Sequence, residues 1–458
     1  MARQFLEQLA INGGPKAVER LTGTVIPKID VEEFFSVAER FGFSPAAMAR
    51  IKAAVGNDDL PTGGPNFARY ACPNPADRVK SVPFEALARE KFGVPYAMAV
   101  SSGTGALHAA FVGVGVGPGK EVICPGLGFA ATAMAVMLAG GVPVFSDVDE
   151  SLQMDPAKIE ARITPRTVAL APTHHWGNMA DMGPIMEIAR KHGLRVVEDC
   201  AQGPGAKYRG QYVGAIGDVG CFSISAYKII GGGEGGMVVA KDERIFDRIR
   251  QMAEAGGLWR PDRFAVPRYE GELFPGTNYR LSELEAAVNL IQLQKLDDFV
   301  RRYQAVSARV RSQLKPFKEI TPQKINDARG YIGYMLRFFP ATCELSAKIA
   351  AALNAEGIGA GVRGEDHRPD WHLCRDMQPI IHKTGHIPGG SVFADPRYTG
   401  TVDYRPGQCP VAEDLFAREV SIGFEQWYNA TDCDAIAAGI TKVLSAYCTE
   451  DSSAKAWV

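Results

Sequence analysis

Short apolar runs alternate with helical stretches between about Pro83 and Glu254. Small or polar residues follow each run, as expected where the ends of parallel strands line a ligand crevice. The predicted strands are Ala97–Val100, Glu121–Cys124, Val142–Phe145, Thr167–Ala171 and Leu194–Val197. This alternation predicts an α/β fold, with a large domain built on a mixed, mostly parallel sheet flanked by helices.

The residues after this region predict a smaller C-terminal α+β domain. Residues 281–314 carry apolar side chains at three- and four-residue spacing, which is the pattern of a long amphipathic helix. Tyr331–Phe338 is typical of a strand, and Ser346–Glu356 is typical of a helix. We therefore expect the large domain to span residues 66–315 and the smaller domain to span residues 316–458.

Residues 1–65 predict a helical N-terminal extension. Asp30 can cap a helix with Glu33 as its capping-box partner, and Ser44–Pro45 begins a second helix. The Pro- and Gly-rich residues 60–75 form a connector. No chemistry is evident in this extension, so we expect it to serve packing or subunit contact.

Composition and charge narrow the class of protein. Of the 458 residues, 46% are hydrophobic and 22% charged, and a net charge of −2 gives no basis for binding nucleic acid or an anionic membrane. The start of the chain lacks an apolar core of signal-peptide length, and no uninterrupted apolar run of 18 residues follows. The nine cysteines include no Cys-x-x-Cys pair, which argues against a zinc site or a disulfide framework. We therefore expect a soluble cytoplasmic enzyme.

One lysine stands in an informative setting. Lys228 follows Ser223 and Ser225 and precedes the glycine-rich run Gly232–Gly236, and Asp199 ends an apolar run 29 residues upstream. This arrangement predicts a pyridoxal-phosphate site, in which Lys228 forms the Schiff base and Asp199 keeps the pyridine nitrogen protonated. The alternatives are a helix N-cap at Asp199 and a flexible surface turn at the glycines.

A phosphate site is predicted at Ser101–Leu107, which follows a predicted strand and opens a helix. Backbone N–H groups at a helix N-terminus bind phosphate, here those of Gly103, Thr104 and Gly105, and the Thr104 hydroxyl adds a donor. Taken alone, the segment is also typical of an N-cap with a tight turn. The presence of Lys228 in the same chain favours the phosphate site.

Three further side chains are candidates for the cofactor pocket. Gln202, three residues after Asp199, can hydrogen-bond the phenolic oxygen of the ring, and Phe129 can stack on the ring, although a lone aromatic after a strand is more often core. His174 and His175 follow a predicted strand, where adjacent side chains point apart. We favour His174 as the one that lines the site, with ordinary polar packing as the alternative. No metal is expected, because no Cys, Asp or Glu lies at ligand spacing from them.

Taken in order, these segments resemble the DegT/StrS-type sugar aminotransferases of the aspartate-aminotransferase fold, over about residues 83–314. The motifs that match are Ser102–Leu107, Phe129, Glu198–Gln202, Ser223, Lys228, Gly233–Gly236 and Gly276–Arg280. The resemblance implies that Ser223 binds the phosphate and Phe129 stacks on the ring. It also implies a homodimer, in which Asn278 reaches the phosphate of the neighbouring subunit's cofactor.

Departures from the family pattern lie near the expected substrate position. Gly128 stands where Ser or Thr is usual, and Gly203–Gly205 replaces Ala-His-Gly. Residues 361–400, which include Arg363, Glu365, Asp366, His367 and His372, do not match the family pattern. These departures leave the substrate open and the chemistry intact.

The expected reaction is ping-pong transamination from glutamate or glutamine to a keto or aldehyde group of a sugar or cyclitol, with Lys228 as the acid and base. The acceptor stays open between a nucleotide-linked sugar, a free sugar and an inosose. Arginines that could hold a diphosphate are Arg260, Arg263, Arg268, Arg363 and Arg368. The alternatives are another reaction of the same cofactor, such as sugar dehydration, and a pyridoxal-phosphate-bound regulatory protein without turnover. Some relatives that act as dehydratases carry histidine in place of the lysine, so Lys228 argues against that branch.

Overall fold

The computed structural model describes residues 2–20, 27–62, 64, 65, 67, 69, 79–257, 264–365, 369–386 and 390–457. The chain forms two compact units, Met1–Pro75 and Ala76–Val458. The division of the second unit at residues 315 and 316 stays a prediction.

The first unit contains α1 (Ala2–Glu7), α2 (Val31–Glu39) and α3 (Pro45–Ala54). Both predicted caps are confirmed. The backbone N–H of Asp30 donates to Glu33 at 2.8 Å while the Asp30 carboxylate accepts from the helix backbone, and the Ser44 hydroxyl accepts from the N–H of Ala47 at 3.2 Å. Capping side chains satisfy N–H groups that have no partner inside the helix, and so they set where each helix begins.

The second unit is built on a seven-stranded sheet with the order β1-β9-β8-β5-β4-β2-β3. Its strands are β1 (Tyr96–Val100), β2 (Glu121–Pro125), β3 (Val142–Ser146), β4 (Thr167–Leu170), β5 (Arg195–Asp199), β8 (Val219–Ser223) and β9 (Gly236–Ala240). The strand β9 runs antiparallel to both of its neighbours, β1 and β8, and the other pairs of this sheet are parallel. The prediction of a mixed, mostly parallel sheet is therefore confirmed. A separate ribbon pairs β6 (Lys207–Tyr208) with β7 (Gln211–Tyr212).

Helices cover both faces of this sheet. They are α4 (Ser81–Phe92), α5 (Gly103–Gly113), α6 (Ala131–Leu138), α7 (Pro156–Ile159), α8 (Met182–His192) and α9 (Glu243–Ala253). Met98 and Val100 lie in one hydrophobic core, whereas Ala97 and Ala99 lie in the core on the opposite face. Burial on both faces explains why the predicted strands read as continuous apolar runs.

A second, four-stranded antiparallel sheet has the order β10-β11-β13-β12. Its strands are β10 (Ile320–Pro322), β11 (Met335–Pro340), β12 (Ala360–Val362) and β13 (Val420–Gly423). The helices in this part of the chain are α11 (Cys343–Ala355), α12 (Gln378–Ile381), α13 (Pro410–Arg418) and α14 (Ala430–Tyr447).

Two predicted starts in this region were wrong by a few residues. The strand expected from Tyr331 begins at Met335, because the chain first passes Gly333 with a positive φ of 80°. The helix expected from Ser346 begins at Cys343, because Thr342 caps it by accepting from the N–H of Leu345 at 3.1 Å.

The long predicted helix is α10 (Glu283–Arg311), which begins after the N-cap Ser282. Leu293 and Leu296 belong to a core of the large sheet, whereas Val306 and Val310 belong to the core of the small sheet. One continuous helix is therefore shared by both sheets. Among the described residues, no helix combines the length and the apolar character needed to span a bilayer.

Candidate active site

Lys228 lies in a cavity of about 310 Å³ at the carboxyl ends of β5 and β8, where a doubly wound sheet places its ligands. Six other residues that the sequence predicted for the site also line this cavity: Gly103, Thr104, Phe129, Asp199, Gln202 and Ser223. Residues up to 125 positions apart in the chain thus meet around one amine.

The N-terminus of α5 forms one wall of the cavity. Its cap is Ser102, whose hydroxyl accepts from the N–H of Gly105 at 3.0 Å. Gly103 lets the helix approach β8, since a Cβ there would lie 2.8 Å from the Cβ of Ser223. The helix end, the Thr104 side chain and Ser223 therefore face a common space suited to an anion.

Asp199 is held rigidly at the end of β5 and is 3% exposed. One carboxylate oxygen accepts from the hydroxyl of Thr132 at 2.5 Å, and the other accepts from the N–H of Ala201 at 3.0 Å. Sequence reasoning missed Thr132. The available signal was a single hydroxyl in the first turn of an otherwise apolar helix, three residues after Phe129.

Lys228 is partly buried. Burial lowers the pKa of Lys228, and the negative charge of Asp199 opposes that shift. Lys228 also borders a second cavity of about 280 Å³, lined chiefly by aromatic rings (Trp176, Tyr227, Tyr303 and Tyr334). The amine thus lies between a polar cavity and an aromatic one.

The expected position of His174 in the site is corrected by the structure. Thr173 forms a parallel bridge with Asp199, so both side chains reach the cavity and the next side chain points the other way. His174 is fully buried; its Nδ1 accepts from the N–H of Ala180 at 3.1 Å and its Nε2 lies 2.9 Å from Glu198. Its role is polar packing behind the sheet.

Glu198 forms the centre of that packing. Its carboxylate accepts from the backbone N–H groups of Gly214, Ile216 and Gly217 at 2.6–2.8 Å as well as contacting His174. Burial raises the pKa of Glu198, but the hydrogen bonds from His174 and the backbone outweigh it, and the pKa is lowered. The ligand atoms of His174, Glu198 and Cys200 lie within 4.8 Å of one another, yet hydrogen bonds already occupy the carboxylate and the imidazole.

The glycine-rich run passes close to the same wall of the cavity. A Cβ at Gly236 would lie 2.3 Å from the carbonyl oxygen of Ser102, and one at Gly231, directly before the run, would lie 2.2 Å from that of Ser225. Glu234, inside the run, lines the cavity. The glycines therefore allow close backbone packing beside the site.

Asn278 lies outside this cavity within one chain, and its side-chain oxygen accepts from the N–H of Arg280 at 3.1 Å. The predicted role across an interface stays a prediction.

Among the candidate arginines, Arg268 pairs with Asp247 and Glu272, and Arg363 pairs with Glu419 and Asp370. Arg260, Arg263 and Arg368, like Asp366 and His367, lie outside the described residues.

The unmatched stretch of the sequence brings one side chain to the site. His372 lies with its Nε2 3.4 Å from the amide nitrogen of Gln202 and with its ring 5.3 Å from that of Phe129. Sequence spacing held no signal for this contact, because 170 residues separate His372 from Gln202.

The profile of the DegT/DnrJ/EryC1/StrS aminotransferase family matches residues 79–365, more than half of the chain. The protein belongs to this family.

Relatives of this aminotransferase include the GDP-perosamine synthase of Caulobacter vibrioides, 36% identical over 66% of this chain and 78% of that protein. The spore coat polysaccharide biosynthesis protein SpsC of Bacillus subtilis is 38% identical over 77% of this chain and 86% of its own. The crystal structure of S. venezuelae DesV, in complex with a ketimine intermediate, is 27% identical with a TM-score of 0.65, covering 92% of this chain and 98% of that one.

Proposed function

We propose that this aminotransferase uses pyridoxal 5'-phosphate to move an amino group from glutamate or glutamine to a keto or aldehyde group of a sugar or cyclitol. One observation carries the proposal: a partly buried amine, Lys228, and a buried carboxylate, Asp199, share one cavity with a helix N-terminus. The relatives whose names specify a perosamine sugar and a polysaccharide support a carbohydrate acceptor.

The residues of the cavity fit the cofactor. The N-terminus of α5, with Thr104 and Ser223, would hold the phosphate, and the Asp199 carboxylate would face the pyridine nitrogen. Thr173 lines the same cavity, and its buried hydroxyl has no hydrogen-bond partner among the described residues. A bound polar ligand would supply that partner.

When bound, pyridoxal phosphate supplies an electron sink for the negative charge that develops at the substrate carbon. The chain supplies the proton transfers. Because burial lowers its pKa, the Lys228 amine is more readily unprotonated, so Nζ can take a proton from the substrate carbon and return one. Thr132 and the N–H of Ala201 keep the Asp199 carboxylate in one orientation throughout.

A homodimer is part of the proposal. Asn278 lies outside the cavity of its own chain, and family resemblance assigns its counterpart to the phosphate of a neighbouring subunit.

The aromatic cavity beside Lys228 offers ring faces on which a sugar or cyclitol can pack.

The proposal is tested by covalent trapping. Full-length protein is incubated with pyridoxal phosphate, reduced with borohydride, digested and analysed by mass spectrometry. We expect the label on the Lys228 peptide, its loss in Lys228→Ala, and its retention in Lys241→Ala, which changes an exposed lysine outside the cavity. A colourless protein with no trapped label would overturn the proposal.

A half-reaction separates the proposed activity from its rivals. L-glutamate or L-glutamine is added to loaded protein, and pyridoxamine phosphate is quantified by chromatography. Conversion of the bound cofactor supports amino transfer. After conversion, a defined panel of keto sugars and inososes identifies the acceptor. No conversion with either donor would leave a dehydratase-type enzyme or a regulatory protein as the better explanation.

A further inference from the structure

The segment around His372 is tied to the loop that carries Phe129. The N–H groups of Gly128 and Ala130 donate to the carbonyl oxygens of His372 and Trp371, both at 2.8 Å. Leu127 and Leu373 form an antiparallel bridge next to them. Two backbone hydrogen bonds and a bridge fix the position of this segment at the edge of the cavity.

Asp370 fixes the His372 side chain from behind. Its carboxylate oxygen accepts from the backbone N–H of His372 at 2.9 Å and lies 2.8 Å from the ring Nδ1. The ring is flanked by His175 at 5.4 Å and Trp176 at 5.8 Å between centroids. The imidazole therefore has one orientation, with Nε2 turned toward Gln202.

The amide of Gln202 is oriented by a second contact. Its oxygen accepts from the N–H of Trp176 at 3.2 Å, so its nitrogen faces His372 Nε2 at 3.4 Å. An amide NH₂ group only donates, so the ring nitrogen that faces it must be the unprotonated acceptor. The proton of the neutral imidazole is then on Nδ1, where Asp370 accepts it.

We propose that His372, held by Asp370, is a positioning residue that fixes the amide of Gln202 at the edge of the Lys228 cavity. Gln202 lines that cavity, so its second amide hydrogen is available to the ring oxygen of the bound cofactor. This inference rests on the proposed function and adds to it a support that comes from the C-terminal part of the chain.

Protonation of His372 would remove the acceptor. The titratable and charged groups that face the ring are Asp370 on its own segment, His175 beside it, and Arg363 and Arg337 on the small sheet and its margin. Burial lowers the pKa of His372, the Asp370 hydrogen bond opposes this, and the two arginines add to the lowering. The neutral, accepting form is therefore favoured at neutral pH.

The tautomer is tested directly in full-length, cofactor-free protein labelled with ¹⁵N-histidine. The signals of His372 are assigned by their loss in His372→Phe, and His382→Gln, at an exposed position, serves as the control. We expect a neutral ring with the proton on Nδ1 at pH 7.5. A proton on Nε2, or an imidazolium at that pH, would overturn the inference without affecting cofactor attachment at Lys228.

A matched pair of variants tests the effect on the loaded enzyme. His372→Phe keeps an aromatic ring but removes the acceptor, whereas His372→Gln keeps an acceptor oxygen. We expect the Phe variant to lose roughly tenfold in kcat with little change in KM, and the Gln variant to retain most activity.

The absorbance of the bound cofactor gives an independent readout. In His372→Phe we expect the midpoint of its pH titration to move to higher pH, because an N–H donated to the ring oxygen stabilises its deprotonated form. Asp370→Asn is expected to shift it in the same direction by less. Normal labelling of Lys228 with an unchanged midpoint in both variants removes this inference alone, whereas failure of labelling in the unaltered protein removes the proposed function.

Discussion

Glu198 and Asp199 are adjacent at the end of β5, yet they serve two different regions. Behind the strand, Glu198 is fully buried and binds three backbone N–H groups and His174. In front of it, Asp199 faces the Lys228 cavity, and within the described part of the chain its carboxylate accepts two hydrogen bonds, one of them from Thr132. Successive side chains of a strand point to opposite faces. Two neighbouring carboxylates can therefore have different roles, with Glu198 stabilising the fold and Asp199 facing the active-site cavity.

The comparison predicts that Glu198→Ala has the largest effect, and that the effect is on stability. Removing the carboxylate leaves three buried N–H groups and the Nε2 of His174 without a partner, which costs about 3–5 kcal/mol. Urea unfolding measures the loss. Glu356→Ala, which removes an exposed ion pair with Lys442, should cost less than about 1 kcal/mol. An unfolding midpoint like that of the unaltered protein would show that the region behind β5 is not structural.

Asp199→Asn should instead lower turnover by roughly 10²- to 10³-fold, since a fixed charge in a buried site is replaced by a neutral group. Stability should change little, because the amide oxygen can accept from the N–H of Ala201 while the amide nitrogen donates to the hydroxyl of Thr132. Steady-state kinetics and urea unfolding are measured on the same preparation, with Asp414→Asn on the surface of α13 as the control. A stability loss as large as that of Glu198→Ala would erase the distinction.

Thr132→Val sharpens the comparison from the active-site side. The substitution keeps the shape and removes one hydrogen bond to Asp199, so turnover should fall by about five- to tenfold. Thr384→Val, at an exposed hydroxyl that bonds the carbonyl of Pro379, should leave turnover unchanged. Equal kinetics for both variants would mean that Asp199 does not depend on Thr132 for its orientation.

The smallest expected effect is a difference in pH dependence. The pKa of Glu198 is lowered from 4.5, so the unfolded chain takes up a proton on this group before the folded chain does. The stability that Glu198 contributes is therefore complete above pH 4.5 and is lost as the pH falls below it. Urea unfolding is measured for the unaltered protein and for Glu198→Ala at pH 6 and at pH 4. The difference in stability between the two proteins should be smaller at pH 4 than at pH 6. If both proteins lose the same stability between pH 6 and pH 4, the acid sensitivity belongs to other groups.

Local patterns predicted most of the sheet and most of the cavity. Apolar runs predicted the five strands β1 to β5, and Asp199 ends the last of them, whereas β8 and β9 were not predicted. His174 was placed on the wrong face because periodicity indicates that neighbours alternate but not which of them faces inward. The bridge between Thr173 and Asp199 decides that point, and it is a tertiary contact.

Other parts of the site depend on pairings that no local pattern contains. His372 reaches Gln202 through the bridge between Leu127 and Leu373, a contact between segments 246 residues apart. The departure at Gly203 has a similar origin, because a Cβ there would lie 2.9 Å from the Cβ of His174. Glycine at this position avoids a clash with His174. The sequence shows only that the residue differs from the family pattern and does not indicate the reason.

The helix α10 ties the two sheets together in a way that bears on how the molecule melts. Its first half is anchored beneath the large sheet and its second half beneath the small one, without a break in between. If either sheet unfolds, apolar side chains of this one helix lose their packing and become exposed. On heating, calorimetry of the Ala76–Val458 unit should accordingly record a single endotherm shared by both sheets.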